Sequence, residues 1–523
     1  MAVRFTTLLA ASLLAGAAGA AQAQQKTFWI TVGDAAYTEL KKAAPQAIAR
    51  ESRSLTAQAA TAGKAAAKEQ VHLVEVDEDQ MLKLSAAVHH ELKRCGGFMM
   101  HRSEAEGLAV LSPSAQRTTL APVLTRPSYA LDNQTLITPL VSQLQATNIG
   151  QTITDLSAFT NRYYTTTAGV NASDWLKNKW ATMAAGRSDI TVSQFTHSGY
   201  PQKSVILTIN GTDNGSEVVV LGAHLDSIVS GGVGESTRAP GADDDASGVA
   251  SLTEALRVML AANYKPRRTI KFMGYAAEEV GLRGSQDIAV WHKNNNVNVV
   301  GVMQLDMTNY KGSASDIFIY TDYTDSLQND FIAKLVQTYQ PTLTIAYDRC
   351  GYGCSDHASW TGQGYWASLP FEAAFNQDNQ NIHTVNDTFA SMGNQANHAL
   401  KFARLGMTYA MELGSDGPGT PPPADKVETF TGSLTVGQKR TLGPFKATIG
   451  TFKASTTGSG DTDLYVRKTT APTTTSYDCK SDGSTSTETC SINMTANGDV
   501  YVLLNGYTAS SYTLTVTYKP QTP

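Results

Sequence analysis

The sequence predicts a mixed α/β fold in three parts: a small α+β segment, a central domain with a mostly parallel sheet and helices on both faces, and a C-terminal β-sandwich. Between about residues 128 and 414, near-continuous apolar runs alternate with stretches of helical periodicity, as in buried parallel sheets. Residues 24 to about 120 mix strand-like and helical pieces, and residues 427–523 carry short alternating strands rich in Thr, Ser and Gly. The chain has 523 residues, of which 41% are hydrophobic, so it can bury more than one core.

The N-terminus has the pattern of an export signal. Arg4 precedes an apolar run from Leu8 to Ala18, and the small-x-small sequence Ala21-Gln22-Ala23 follows, so residues 1–23 are predicted to be a signal peptide cleaved after Ala23. A membrane anchor is the weaker alternative, because the run is short and Ala-rich. Elsewhere in the sequence, no stretch is long and apolar enough to span a bilayer. We therefore expect a secreted protein with no membrane span.

Residues 24–125 are predicted to form a pro-segment of a zymogen. They carry no convincing catalytic cluster, and His89 and His90 sit beside Glu91 on a helical pattern that predicts a solvated face. Exposed candidates for maturation are the stretch from Ser112 to Ser128 and the linker after Gly414.

Cysteine spacing fits an exported chain. Cys350 pairs with Cys354 in CGYGC, and Cys479 with Cys490, as two expected disulfides. A zinc clamp at Cys350 and Cys354 is the alternative, but no second CxxC or nearby His pair completes a structural zinc site. Cys95 is left over, inside the segment that is predicted to be removed.

The central domain, residues 126–414, places a histidine or carboxylates after each of several apolar runs. VVVLGA leads to His224 and Asp226, and a loop then leads to three aspartates, residues 243–245, which open a helix. That edge is where open α/β sheets place ligands, and a His with carboxylates suits zinc. Each position alone is more often structural, for example as a helix cap, but the joint pattern predicts a co-catalytic zinc hydrolase. Three further segments contribute Glu278 and Glu279, Asp306, and His383.

Six motifs carry a resemblance to a known family. AHLDS, APGADDDASG, YAAEEVGLRGS, QLDMTNYKG, CGYGCSDHASW and IHT, in this order, resemble the secreted bacterial di-zinc leucyl aminopeptidases of the Vibrio type. The resemblance covers about residues 125–414. After a Gly/Pro linker at residues 415–425, residues 426–523 resemble the C-terminal domain of many secreted bacterial pre-proteases, on DTDLYV and NGYTASSYTLTV.

The resemblance implies a role for each residue of the cluster. Glu278 would be the general base that takes a proton from water and passes it to the departing amine. Asp226 would accept a hydrogen bond from the His224 ring and fix its tautomer. Two Zn²⁺ ions are implied, although the ligand types also permit cobalt or manganese. One ion would be bound by His224 and Asp306 and the other by Glu279 and His383, with Asp244 bridging both.

The resemblance also implies a side-chain pocket that prefers leucine-like hydrophobic residues. Relatives carry an aromatic residue near position 378, where this chain has Asp378, so a shift towards basic residues is a second expectation. The pocket would be lined by Met307, Tyr352, the Cys350–Cys354 bridge, Phe371, Phe375 and Ile382.

The expected substrates are peptide or protein N-termini, and the expected state is a monomer. A net charge of −5 gives no indication of nucleic-acid binding. Three rival interpretations remain open. A carboxypeptidase of the same fold would need Arg283 or Arg349 as a carboxylate anchor; a glutaminyl-cyclase-like acyltransferase would use one zinc; and a binding module would have lost ligands.

Overall fold

A computed structural model of the protein describes residues 27–54, 70–92, 94, 97–111, 126–416, 425–448, 450–494 and 497–521. The predicted signal peptide, Cys95 and most of both candidate maturation stretches lie outside the described residues. The chain forms two compact units. The first contains the N-terminal segment and the central domain, and the second contains the C-terminal strands.

The N-terminal segment is a small α+β layer. Its four strands pair antiparallel in the order β2-β3-β1-β4, and Ile30 and Val74 lie opposite each other in its core. A capping box at Asp77 starts the second helix, which runs directly into a π-helical turn, Val88–Leu92. The strands are β1 Thr27–Gly33, β2 Ala49–Ser54, β3 Gln70–Asp77 and β4 Phe98–His101, and the helices are α1 Asp34–Ala43, α2 Glu78–Ala87 and α3 Glu104–Val110.

The central domain is built on an eight-stranded sheet in the order β11-β10-β12-β9-β7-β8-β6-β5. The four strands β12, β9, β7 and β8 run parallel to one another, whereas β10 pairs antiparallel with β12, and β6 with β8 and β5. The predicted α/β class is confirmed, with antiparallel strands at both flanks. The strands are β5 Ile190–Phe195, β6 Ser204–Ile209, β7 Asn214–His224, β8 Arg268–Tyr275, β9 Asn298–Gln304, β10 Ile317–Tyr320, β11 Ile345–Asp348 and β12 Ala367–Phe371.

Helices cover both faces of this sheet. Alternate residues of β7 divide between the faces: Val219 and Leu221 pack in the larger core, and Val218 and Val220 pack with Ile288 of the opposite helix layer. Burial on both faces explains why β7 is an almost continuous apolar run. The helices are α4 Gln134–Val141, α5 Ala146–Ser157, α6 Thr167–Met183, α7 Ala246–Ala261, α8 Arg283–Asn294, α9 Ser326–Tyr339, α10 His357–Gly362 and α11 Ala399–Ser415, with a short 3-10 turn at Phe389–Met392.

The C-terminal unit is a β-sandwich of two antiparallel four-stranded sheets, β13-β20-β15-β18 and β14-β19-β16-β17. Phe452 and Val516 from one sheet pack with Val466 and Val502 from the other. The predicted Cys479–Cys490 disulfide is present and joins β17 to β18, so it links the two sheets. The strands are β13 Lys426–Leu434, β14 Lys439–Ala447, β15 Gly450–Ser459, β16 Thr462–Lys468, β17 Cys479–Ser481, β18 Glu488–Met494, β19 Gly498–Gly506 and β20 Ser510–Tyr518.

Within the described ranges, every helix is too short or too polar to cross a bilayer.

Candidate active site

The carboxyl ends of the parallel strands bring the predicted cluster together. His224 is the last residue of β7, and Asp306 follows β9. Glu278 and Glu279 lie in the loop after β8, and His383 lies in the loop after β12. All these side chains are buried, with at most 2% of their surface exposed. Because neighbouring parallel strands end at one edge, residues distant in sequence share one small volume.

Asp244 lies between the two imidazoles. Its Oδ1 is 2.8 Å from Nε2 of His224, and its Oδ2 is 2.8 Å from Nε2 of His383. Each carboxylate oxygen therefore faces a different histidine. A carboxylate in this position could be shared between two metal ions.

A second carboxylate accompanies each imidazole. Asp306 Oδ1 is 3.5 Å from Nε2 of His224, and Glu279 Oε2 is 3.2 Å from Nε2 of His383. The cluster thus has two halves that share Asp244. We call them the His224 half (His224 and Asp306) and the His383 half (Glu279 and His383).

The donor atoms fit a divalent metal. Both carboxylate oxygens of Glu279, Oδ1 of Asp306 and both ring nitrogens of His383 are buried, and none has an aligned hydrogen-bond partner among the described residues. Buried polar atoms without partners are costly, so such a concentration needs a compensating ligand. Nitrogen and carboxylate oxygen donors that converge in this way suit zinc.

The three consecutive aspartates make different contacts. Asp245 caps α7 and accepts hydrogen bonds from the backbone N–H groups of His224 at 2.9 Å and Met307 at 3.1 Å. Asp243 accepts one from the N–H of Asn309 at 3.1 Å. The outer two carboxylates thus hold the backbone of the site, and the central one faces the histidines.

Asp226 holds the glutamate pair. Its carboxylate accepts hydrogen bonds from the N–H of Glu278 at 2.9 Å and of Glu279 at 3.2 Å. It is 3.5 Å from Nδ1 of His224, whereas the backbone oxygen of Asp226 is nearer, at 3.2 Å. The glutamates lie beyond the strand, because β8 ends at Tyr275 and the chain then turns through Ala277 with a φ of 55°.

Carboxylates dominate the electrostatics of the site. Burial and then repulsion from Asp244 raise the pKa of Glu279 to about 7. Burial opposes protonation of His383, but the charges and hydrogen bonds of Glu279 and Asp244 together outweigh burial and raise the pKa of His383 to about 10. Burial also raises the pKa of Glu278 well above its usual value. The four buried carboxylates of Asp244, Glu278, Glu279 and Asp306 give the site excess negative potential, which attracts a cation.

Sequence reasoning missed three residues that position the cluster. Ser355 Oγ donates to Asp306 Oδ2 at 2.5 Å, and the backbone N–H of Ser230 donates to the His383 carbonyl at 2.9 Å. The carboxylate of Asp387 accepts from the N–H of Asp244 at 3.1 Å. Ser355 directly follows the CGYGC motif, which was a usable signal. Asp387 and Ser230 lie in polar loops, where the local sequence gave none.

The prediction of a solvated face at His89 is wrong. His89 is completely buried, its Nε2 is 3.5 Å from Oε2 of Glu279, and its ring centroid is 4.0 Å from that of His383. His90 is exposed and contacts Glu91, as expected. The π-helical turn after α2 therefore brings the N-terminal segment, which was predicted to be a pro-segment, to the candidate active site.

An apolar pocket lies beside the cluster. The predicted Cys350–Cys354 disulfide is present in its wall. Asp378 also lines this pocket, is 7% exposed, and has its pKa raised by burial to about 6. Of the predicted pocket residues, Tyr352, Phe371 and Phe375 line the cavity, and Met307 and Ile382 are fully buried members of the same apolar cluster.

Comparison with known proteins identifies the central domain. Residues 204–406 match the profile of peptidase family M28, and residues 447–506 match that of the bacterial pre-peptidase C-terminal domain. Leucine aminopeptidase 1 of Coccidioides posadasii (strain C735) is 35% identical over 295 residues, which make up 54% of this chain and 74% of that protein. The chain belongs to peptidase family M28. It is a metallo-aminopeptidase, so the predicted hydrolase class is confirmed.

Two solved structures and a second sequence relative support the same assignment. The LapA aminopeptidase of Legionella pneumophila superposes with a TM-score of 0.60 at 29% identity, covering 75% of this chain and 100% of that one. LapB from the same organism has a TM-score of 0.58 at 29% identity, with the same coverage. Leucine aminopeptidase 1 of Sclerotinia sclerotiorum is 34% identical over 337 residues, 62% of this chain and 84% of that protein.

Proposed function

We propose that this M28 enzyme is a secreted two-zinc aminopeptidase that prefers leucine-like N-terminal residues. The observation that carries the proposal is the position of Asp244, whose two carboxylate oxygens are each 2.8 Å from the Nε2 atom of a different histidine. A carboxylate so placed suits two ions rather than one.

The ligand sets follow from the two halves of the cluster. His224 and Asp306 would hold one zinc ion and Glu279 and His383 the other, with Asp244 shared between them. When bound, the two ions would lower the pKa of an attacking water and polarise the scissile carbonyl. The buried oxygen and nitrogen atoms without hydrogen-bond partners support this assignment.

Glu278 is the proposed general base. Its backbone is held by Asp226, and both of its carboxylate oxygens are buried without a hydrogen-bond partner among the described residues. It would take a proton from the attacking water and deliver it to the departing amine. Burial increases the proton affinity of this carboxylate, which suits a group that must hold a proton between the two transfers.

The chemistry of the α-amino group explains the restriction to N-termini. A free α-amino group would bind at one zinc ion through its lone pair, or donate hydrogen bonds to the carboxylates beside it. An acetylated N-terminus has a delocalised lone pair and adds bulk in a fully buried site. Peptides with a free amine are therefore the proposed substrates.

The apolar lining of the pocket favours hydrophobic substrate side chains, whereas one residue of its wall, Asp378, is acidic. Burying a leucine-sized side chain against Tyr352, Phe371 and Phe375 contributes roughly 1.5–3 kcal/mol. Asp378 in the same wall would favour lysine or arginine where it is ionised. A substrate panel that compares leucine with lysine p-nitroanilide, in wild type and Asp378→Asn, ranks the two preferences.

Export is supported by the signal-like pattern of residues 1–23 and by the two disulfides, which persist in oxidising compartments. N-terminal sequencing of protein from the culture medium tests it, with Gln24 as the expected first residue of the exported precursor.

The central experiment uses the purified mature enzyme, with leucine p-nitroanilide and its N-acetylated form as substrates. Glu278→Gln should lower kcat by roughly 10²–10⁴-fold, the range for loss of a general base, while zinc content stays at two ions per chain. The matched control is Glu235→Gln, an exposed glutamate that accepts a hydrogen bond from the Thr167 N–H and should leave activity unchanged. Equal cleavage of the acetylated substrate, or one zinc per wild-type chain, would contradict the proposal.

A further inference from the structure

The π-helical turn of the pro-segment places an imidazole where it has no protein partner. His89 is fully buried, and neither ring nitrogen has a hydrogen-bond partner among the described residues. A buried imidazole left in this state costs free energy, because both nitrogens lose their bonds to water. Local π-helical turns occur frequently at functional sites.

The distances around His89 match those between ligands of one ion. Its Nε2 is 3.5 Å from Glu279 Oε2, and Glu279 Oε2 is 3.2 Å from His383 Nε2. Ligand atoms about 2.0–2.2 Å from a tetrahedral zinc lie about 3.3–3.6 Å apart. The ligand atoms of the three residues all fall within 4.8 Å of one another. The distance from His89 to Glu279 is too long for a direct hydrogen bond, but it suits a shared ion.

The pro-segment is held firmly against the edge of the site. Ser85 Oγ donates to the backbone oxygen of Glu279 at 3.1 Å, and the N–H of Met100 donates to the carbonyl of Gly281 at 3.2 Å. Met99 packs in one apolar cluster with Leu282 of the central domain. Contacts on both sides of the π-helical turn fix the position of the imidazole.

The same segment fills the side-chain pocket. The guanidinium of Arg94 lies 4.8 Å from the ring centroid of Phe375 and 5.5 Å from that of Tyr352. It lines the pocket together with Asp378, and about 20 Å³ of cavity remains, room for one or two water molecules. The pro-segment thus reaches the metal cluster and the specificity pocket at once.

We propose that His89 is a metal ligand of the precursor: it completes a His89–Glu279–His383 set around the ion of the His383 half, and Arg94 fills the pocket that a substrate side chain needs. The proposal rests on the two-metal function proposed above. Cleavage and release of the pro-segment remove one ligand from this ion and open both positions to a peptide. The His224 half keeps its ligands in both forms.

Cobalt substitution of the unprocessed precursor tests the proposal by a readout other than activity, because the visible absorption of Co²⁺ reports its ligands. All variants are made in a Cys95→Ser background, so that no other free thiol interferes. His89→Cys should introduce a cobalt–thiolate charge-transfer band, since thiolate is a good ligand for such ions. The matched control is His90→Cys, which places the thiol on the neighbouring exposed position and should give no band.

A second variant covers the case in which the thiol disturbs folding. His89→Ala should weaken binding of the second Co²⁺ to the precursor by at least tenfold and leave the first ion unchanged, whereas His90→Ala should change neither. Thermal unfolding of each variant verifies that it is folded. An unchanged affinity and spectrum in both His89 variants, or equal changes in the His90 variants, would overturn the inference. Failure of the mature enzyme to bind a second ion would instead overturn the proposed function.

Discussion

The two halves of the cluster differ in what holds them. In the His224 half, the histidine ends β7, which has a strand paired on each side, and Ser355 fixes Asp306. In the His383 half, both ligands lie in loops, and the pro-segment contacts them through His89 and Ser85. The half built on the sheet is complete within the central domain. The half built on loops is the one that the N-terminal segment contacts.

The backbone explains this difference. A residue at a strand end inherits its position from the hydrogen bonds of the sheet, whereas His383 has a φ of 55° and depends on Ser230 to hold its carbonyl. Positive φ costs energy in a residue other than glycine, and such residues occur often at active sites. The N-terminal segment therefore contacts the site where the sheet determines it least.

The substitution with the largest expected effect removes the carboxylate of Asp244, which the two halves share. Asp244→Asn should lower kcat of the mature enzyme by at least on the order of 10⁴-fold, the upper end for loss of one catalytic group, because it weakens both ions together. Zinc analysis after dialysis should find less than one ion per chain. Asp243→Asn serves as the control for loss of charge, since that carboxylate holds backbone and faces neither histidine. Retention of two ions by Asp244→Asn would show that the halves are independent.

A smaller change should separate the halves. Ser355→Ala removes the hydroxyl that orients Asp306, and loss of such a partner weakens metal binding by roughly 10–100-fold. Only the ion of the His224 half should be affected. Ser230→Ala is the counterpart in the other half and should have little effect, because the backbone N–H still bonds to the His383 carbonyl. Competitive titration with a chelator measures both steps. Equal weakening of both ions by Ser355→Ala would mean that the cluster responds as one unit.

The smallest effect concerns the pro-segment alone. Burial lowers the pKa of His101 to about 3, and its ring bonds to Thr31 at 2.9 Å. In the unfolded state His101 takes up a proton near pH 6.5, whereas in the folded state it stays neutral down to about pH 3. The folded state therefore loses stability as the pH falls from 6.5 towards 3. At pH 5 this destabilises the folded pro-segment by about 2 kcal/mol.

Hydrogen exchange of the β1 and β4 amides in the precursor, at pH 7 and pH 5, measures this loss. His101→Gln keeps a polar partner for Thr31 and should reduce the pH dependence. The control is His90→Gln, at an exposed position, which should leave the dependence as in wild type. An equal loss of protection in His101→Gln and wild type would assign the pH dependence to other groups.

Sequence reasoning predicted the α/β class, the sandwich and both disulfides, because these depend on local patterns, whereas the peptidase class was implied by the resemblance of six motifs to a known family. Apolar runs with polar ends are readable along the chain, and parallel strands must bring their carboxyl ends to one edge. The roles of the individual ligands remain predictions. The backbone positions of Glu278 and Glu279 depend on the turn at Ala277 and on the hydrogen bonds that Asp226 accepts from their N–H groups, which the local sequence does not reveal.

The sequence by itself determined which residues gather at the edge of the sheet: His224, Asp244 and Asp306 follow strands whose apolar character requires burial. Only the tertiary structure decided that His89 is buried beside the metal cluster. Its neighbours His90 and Glu91 are solvated, and the local helical pattern treats all three alike. The difference arises because Ser85, four positions earlier on the same face, bonds to a carbonyl 194 positions later in the chain. Contacts at that separation leave no periodic trace in the sequence, so the imidazole beside the metal cluster became visible only in the fold.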